Sequence, residues 1–95
     1  MIEISVRKNE ITVAGHAQYA SLGKDIVCSG VSTLVQTLIA SIKILTKDEI
    51  QYDLSLGTAD IKFENLSKES QTLVDSFLVG IQMIADTYPE HVRIV

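Results

Sequence analysis

The sequence predicts an α+β fold in which a mostly antiparallel sheet carries two helices packed on one face. Two pairs of segments alternate between apolar and polar residues, as the strands of half-buried hairpins do. Two longer segments repeat apolar residues with helical spacing, and the order of the segments is β-β-α-β-β-α-β. The length of 95 residues suits a single domain over residues 1–95, without linker or repeat.

The four strands of the two hairpins are predicted with a definite register. Two-residue turns at residues 8–9 and 56–57 put the apolar residues of each hairpin opposite one another on one face. The predicted pairs are Val6–Ile11 and Ile4–Val13 in the first hairpin, and Tyr52–Ile61 and Leu54–Ala59 in the second.

Each helix is predicted from a capping residue followed by periodic apolar residues. Asp25 follows a loop over residues 15–24 and is a natural N-cap for a helix that ends near Thr46. Ser67 caps the second helix, and Pro89 stops it. Residues 91–95 alternate enough for a short last strand, and His91 is interpreted there as a surface residue.

Composition and charge limit the possible functions. The net charge of −4 disfavours direct binding to a phosphate backbone, and no cluster of basic residues compensates for it. One cysteine allows no internal disulfide and the N-terminus lacks a signal peptide, so we expect a cytoplasmic protein. The charge-free stretch from Ile26 to Ile42 holds too many Ser, Thr and Gln residues for lipid, so we interpret it as a buried helix rather than a membrane contact.

His16 and Cys28 are candidates for a reactive pair. Cys28 lies three residues after Asp25, in the first helical turn, where unpaired N–H groups favour a thiolate and could stabilise an oxyanion. His16 lies across a loop that could bring its imidazole to the thiol. The alternatives are a small buried cysteine and a solvated histidine. A metal site is disfavoured, because one cysteine and two histidines are too few zinc ligands unless carboxylates or a second chain contribute.

The residues around this pair resemble a known family. Gly15-His16-Ala17, then Gly23, then Asp25-Ile26-Val27-Cys28 is similar to the motif of the ribosomal-processing cysteine protease (Prp) family, which reads G-H-A, a variable loop and G-x-D-I-V-C-A-x-x-S. The similarity of length and element order extends along nearly the whole chain. One departure is Ser29, which stands where the family usually has alanine and which could alter the oxyanion region.

The resemblance implies an activity, a substrate and residue roles. Prp proteins are bacterial homodimers that remove a short N-terminal extension, after a hydrophobic and aromatic-rich sequence, from the large-subunit ribosomal protein that is twenty-seventh by number. By motif position Cys28 is the nucleophile, His16 the general base and Ser32 a residue that orients the site. Gly15, Gly23 and Asp25 match supporting positions. No cofactor is implied.

Several expectations stay open at this point. Asp25 is either a third catalytic residue or only an N-cap, and Tyr19 is either a substrate contact or an exposed loop residue. The loop between Gly15 and Asp25 lacks periodic apolar anchors, so we expect it to be mobile until a peptide binds. A non-catalytic ribosome-assembly domain that binds a ribosomal-protein tail is the alternative function, and a nucleic-acid-binding module is a weaker one.

The homodimer has a candidate interface. The first helix carries a stripe of small residues without charge, which suits close packing better than hydration. The alternative is that Gly80 of the second helix receives this stripe within one chain. The stripe consists of Gly30, Thr33, Thr37, Ala40 and Ser41.

Overall fold

A computed structural model describes residues 1–21 and 24–95 of the chain. The elements follow the predicted order, with a short last strand after the second helix. They are β1 (Ile2–Val6), β2 (Glu10–Gly15), α1 (Ile26–Leu45), β3 (Ile50–Ser55), β4 (Thr58–Phe63), α2 (Lys68–Thr87) and β5 (Val92–Ile94).

The five strands form one mixed sheet in the order β3-β4-β2-β1-β5. Both hairpins have the predicted register, since Ile4 faces Val13 in the first and Tyr52 faces Ile61 in the second. β2 and β4 also pair antiparallel, whereas β5 pairs parallel with β1. The predicted α+β fold with a mostly antiparallel sheet is therefore confirmed.

The core lies between one face of the sheet and the two helices. Apolar residues of β1, β2, β4 and β5 meet the apolar stripes of α1 and α2 in a single buried cluster. The helices approach closely, because a Cβ atom at Gly80 would lie 2.9 Å from Leu34 and one at Gly30 would lie 3.3 Å from Ile84. Helix α1 has the length and hydropathy of a membrane span, and six of its residues are buried in this core.

The edge strand β3 is largely exposed. Tyr52 and Leu54 have the predicted partners but remain 44% and 45% exposed, because an open groove of about 370 Å³ separates them from α1. Ile39, Ala40 and Ile44 form the helix side of this groove. The alternation of Tyr52 and Leu54 therefore identified the strand and its register but not its exposure, since the helices cover the central strands and leave this edge open.

Asp48 connects the end of α1 with the start of α2. Its Oδ2 accepts hydrogen bonds from the Ser67 hydroxyl at 2.5 Å and the Ser67 N–H at 2.9 Å, while the Ser67 hydroxyl oxygen accepts the N–H of Ser70 as the N-cap of α2. These bonds favour the carboxylate, so the hydroxyls of Ser67 and Ser70 and the Ser67 N–H lower the pKa of Asp48 below its ordinary value.

The lowered pKa makes the contribution of Asp48 to stability depend on pH. This stabilisation is fully present above the ordinary carboxyl pKa and is lost as the pH falls through the lower pKa of the folded state. We expect Asp48→Ala to reduce the melting temperature at pH 7 by several degrees, and the two melting curves to converge at pH 2. Glu90→Ala, at an exposed position, is the control. An equal loss at both pH values would contradict this assignment.

Candidate active site

Glycine is required where β2 ends and the site begins. Gly15 has a φ of +104°, and a Cβ atom there would collide with the carbonyl oxygen of Met1. The N–H of Gly15 donates to the carbonyl of Gly57 at 2.8 Å, which ties the end of β2 to the β3–β4 turn. This turn of the backbone directs His16 toward the hairpin.

The His16 imidazole lies against the backbone of Gly57. A Cβ atom at Gly57 would be only 2.7 Å from the Nε2 atom of His16, and Gly57 has a φ of +82°. Gly57 is thus required both by the turn and by the position of the histidine. The sequence identified it only as a turn residue, because nothing local connects it with His16.

Cys28 lies in the first turn of α1 and is half-buried. Its Sγ accepts a hydrogen bond from the backbone N–H of Ala17 at 3.3 Å. Cys28 and His16 line one cavity of about 260 Å³, whose walls also include Ser32 and Leu54. Within residues 1–21 and 24–95, no hydrogen bond joins the His16 ring to the sulfur.

Asp25 holds both the helix and the loop. Its Oδ1 accepts the N–H groups of Val27 and Cys28, each at 3.0 Å. Its Oδ2 accepts the N–H groups of Tyr19 at 2.9 Å and Ala20 at 3.3 Å. Burial by itself raises the pKa of the Asp25 carboxyl, but these four donors outweigh it, so the net pKa is lowered and the group is a carboxylate near neutral pH.

Asp25 limits which first-turn N–H groups of α1 could stabilise an oxyanion. It accepts the N–H groups of Val27 and Cys28, so these two are already occupied. The N–H that points at the sulfur itself comes from the loop, from Ala17. Asp25 is the N-cap of α1, as predicted, and its second oxygen organises the loop rather than any catalytic residue.

The first half of the loop has anchors that the sequence pattern did not reveal. Ala17 is only 1% exposed and belongs to the hydrophobic core, and Gln18 has a φ of +55°. Ala17 is thus one buried anchor of the loop, whereas residues 18–21 are exposed, and the mobility of the loop stays a prediction. The predicted supporting residue Gly23 lies outside the described residues.

The remaining predicted residues lie around the cavity or behind the loop. Ser32 is exposed on the cavity wall, one helical turn after Cys28. Tyr19 does not line the cavity but packs edge-to-face on Tyr88 and His91, with ring centroids 5.3 and 5.4 Å away. His91 was interpreted as a surface residue, and this is wrong, because it is half-buried and hydrogen bonded to the loop.

Sequence reasoning missed His91 because no local pattern connects the two ends of the chain. His91 is 74 positions from its partner Ala17, and only the parallel pairing of β5 with β1 brings them together.

Among the described residues, no group of three or more His, Cys, Asp or Glu side chains is arranged to hold a metal ion.

Comparisons with known proteins agree with this geometry. The sequence model of the family described as Cysteine protease Prp matches residues 1–93. The ribosomal processing cysteine protease Prp of Staphylococcus aureus is 29% identical over 99% of this chain and 97% of its own length, and that of Mycoplasma genitalium is 27% identical over 99% and 94%.

A solved structure of the S. aureus protease, in complex with a covalently linked product peptide, superposes with a TM-score of 0.89 at 26% identity. That superposition covers 98% of this chain and 94% of the other. The resemblance to the Prp family is thereby confirmed. The chain belongs to the Prp family of ribosomal processing cysteine proteases.

Proposed function

We propose that this protein is the endopeptidase that removes the N-terminal extension of the large-subunit ribosomal protein that is twenty-seventh by number, with Cys28 as nucleophile and His16 as general base. The observation that carries the proposal is that both side chains line one cavity while a backbone N–H points at the sulfur. An N–H bonded to sulfur stabilises the thiolate, which is the nucleophilic form.

The chemistry follows from these positions. His16 takes the proton of the Cys28 thiol, and the thiolate attacks the carbonyl carbon of the scissile peptide. The C–N bond breaks, the leaving amine receives the proton from His16, and a thioester joins the peptide to Cys28. Water, deprotonated by His16, then hydrolyses the thioester and restores the thiol. No cofactor takes part in these steps.

The surface beside the cavity supports a peptide substrate with apolar side chains. The cavity at Cys28 and the groove between α1 and β3 share Gln36 and Leu54 in their walls, so they lie side by side. Apolar residues along the groove, including Ile44 and Tyr52, are exposed to solvent. An extended, hydrophobic and aromatic-rich segment fits such a surface.

The proposal includes a cytoplasmic homodimer that acts on a protein and not directly on nucleic acid or membrane. The exposed part of the α1 stripe supports the dimer, since Thr33, Thr37 and Ala40 remain uncovered and carry no charge. Gly30 instead lies against Ile84 within the chain. Gly80, the intrachain alternative for the stripe, lies against Leu34, which is not one of the stripe residues.

Removing either catalytic side chain tests the activity. We expect Cys28→Ala and His16→Ala each to reduce cleavage of the extended ribosomal protein by at least about a thousandfold, because each removes one of two groups that act as a unit. Mass spectrometry of the product measures the loss and locates the cut. Gln82→Ala, on the exposed face of α2, is the control. Undiminished cleavage by Cys28→Ala would refute the protease mechanism.

The reactivity of the Cys28 thiol distinguishes the protease from the alternative, a non-catalytic assembly domain. If Cys28 is the nucleophile, iodoacetamide alkylates it at neutral pH faster than it alkylates free cysteine, and His16→Ala slows the reaction. A thiol that reacts no faster than free cysteine, in a protein that binds the ribosomal tail without cutting it, would support the alternative.

Asp25→Asn tests whether the carboxylate organises the site. An amide keeps one acceptor oxygen and faces the other pair of N–H groups with its own donor, so two of the four hydrogen bonds are lost. We expect the rate of cleavage to fall about 10- to 100-fold. We also expect amide hydrogen exchange to accelerate at whichever pair of N–H groups loses its acceptor, Tyr19 and Ala20 or Val27 and Cys28. Asp48→Asn, at the other end of α1, is the matched control. Equal cleavage by both variants would contradict a role of Asp25 in the site.

Thr37→Arg tests the dimer interface on α1. In a contact with two-fold symmetry the substitution places two cations near the axis, so we expect the sedimentation of the protein to change from dimer to monomer. Thr72→Arg, the same change on the exposed face of α2, is the control and stays dimeric. A wild type that sediments as a monomer at micromolar concentration would exclude the dimer. A dimeric Thr37→Arg protein would move the interface elsewhere.

A further inference from the structure

The backbone of His91 is held in place by hydrogen bonds of its own, independently of the contacts of its side chain. It lies between the end of α2 and the start of β5. Its backbone N–H donates to the carbonyl of Tyr88 at 3.0 Å, and its carbonyl accepts the N–H of Ile2 at 2.8 Å. The backbone on both sides of the imidazole is therefore held by hydrogen bonds, so the ring starts from a defined position.

The imidazole of His91 is bonded to the loop that carries His16. Its Nδ1 lies 2.7 Å from the carbonyl oxygen of Ala17. A carbonyl oxygen only accepts hydrogen bonds, so Nδ1 must carry a hydrogen atom. The ring therefore donates this hydrogen bond through Nδ1.

His91 is hydrogen bonded to Ala17, the residue whose N–H donates to the Cys28 sulfur. The C=O of Ala17 accepts from His91, and the N–H of Ala17 donates to the Sγ of Cys28 at 3.3 Å. The Ala17 side chain is 1% exposed, so this residue is held by its burial in the core as well as by the two hydrogen bonds of its backbone. Because the N–H of Ala17 belongs to the peptide group that it shares with His16, movement of Ala17 also moves the proposed general base.

Two aromatic contacts reinforce this arrangement. The ring of Tyr19 meets the His91 ring edge-to-face, with an interplanar angle of 85°, and the Tyr88 ring at 77°. Tyr19 is also tied to Asp25 through its N–H. The C-terminal part of the chain thus supports the loop at Ala17 and Tyr19, on the side away from the cavity.

We propose that His91 is a positioning residue of the protease, which aims the Ala17 N–H at the Cys28 sulfur through the Nδ1–H···O=C hydrogen bond. The proposal rests on the proposed role of Cys28 as nucleophile. His91 touches neither the cavity nor the sulfur, so it acts through Ala17 and not on the substrate.

Two substitutions separate the hydrogen bond from the packing of the ring. His91→Phe keeps an aromatic ring beside Tyr19 and removes the donor. His91→Asn removes the ring and keeps an N–H donor at the δ position, where Nδ1 was. We expect His91→Phe to lower kcat and the rate of Cys28 alkylation by iodoacetamide about tenfold each, with KM changed less than about twofold. We expect His91→Asn to recover both rates to within about threefold of wild type.

The alkylation rate decides the proposal separately from the substrate. If His91→Phe alkylates as fast as wild type, or if Phe and Asn variants are slowed equally, the positioning role is refuted. If the wild type does not cut the ribosomal protein but alkylation still follows the predicted order, the proposed substrate fails and the role of His91 stands.

A measurement on the wild-type protein tests the same hydrogen bond without any substitution, so its result does not depend on whether the variants fold. Nitrogen-15 NMR of the histidine side chains reports which ring nitrogen carries hydrogen. We expect a proton on Nδ1 of His91 that exchanges slowly with water. A neutral ring protonated at Nε2 alone would overturn the proposal without any substitution.

Discussion

The site depends on one carboxylate that accepts four backbone N–H groups. Asp25 uses one oxygen to begin α1 and the other to fold the preceding loop back onto that helix. The same group therefore sets the position of Cys28 on the helix and the direction from which the loop reaches it. Because the carboxylate is buried, losing any of the four donors would leave part of its charge without compensation.

The network around the sulfur combines both ends of the sequence. Asp25 fixes the loop at Tyr19 and Ala20, and His91 fixes it at Ala17. Between these two supports, Ala17 is the only described loop residue whose N–H points at Cys28. The site thus gains a defined electrostatic environment from backbone groups, in a domain with few charged side chains near the cavity.

The sequence was sufficient for features that local patterns encode, and it failed where distant segments meet. Alternation and turn length predicted the pairs Ile4–Val13 and Tyr52–Ile61, and a capping residue predicted the start of α1. The exposure of Tyr52 and the contact of His91 were not predictable in this way, because each depends on which strand lies at an edge and which lies beside β1. The position of His16 against Gly57 was missed for the same reason.

The parallel pairing of β5 with β1 has a consequence for the order of folding. Ala17 and His91 are 74 positions apart, so joining them closes a long loop whose entropic cost is repaid only when the last strand docks. Hairpins and helices form from neighbouring residues and need no such closure. The second support of the loop beside Cys28 therefore exists only when the last strand has docked. The hydrogen bond from the Ala17 N–H to the Cys28 sulfur thus receives its support from His91 only in the completely folded domain.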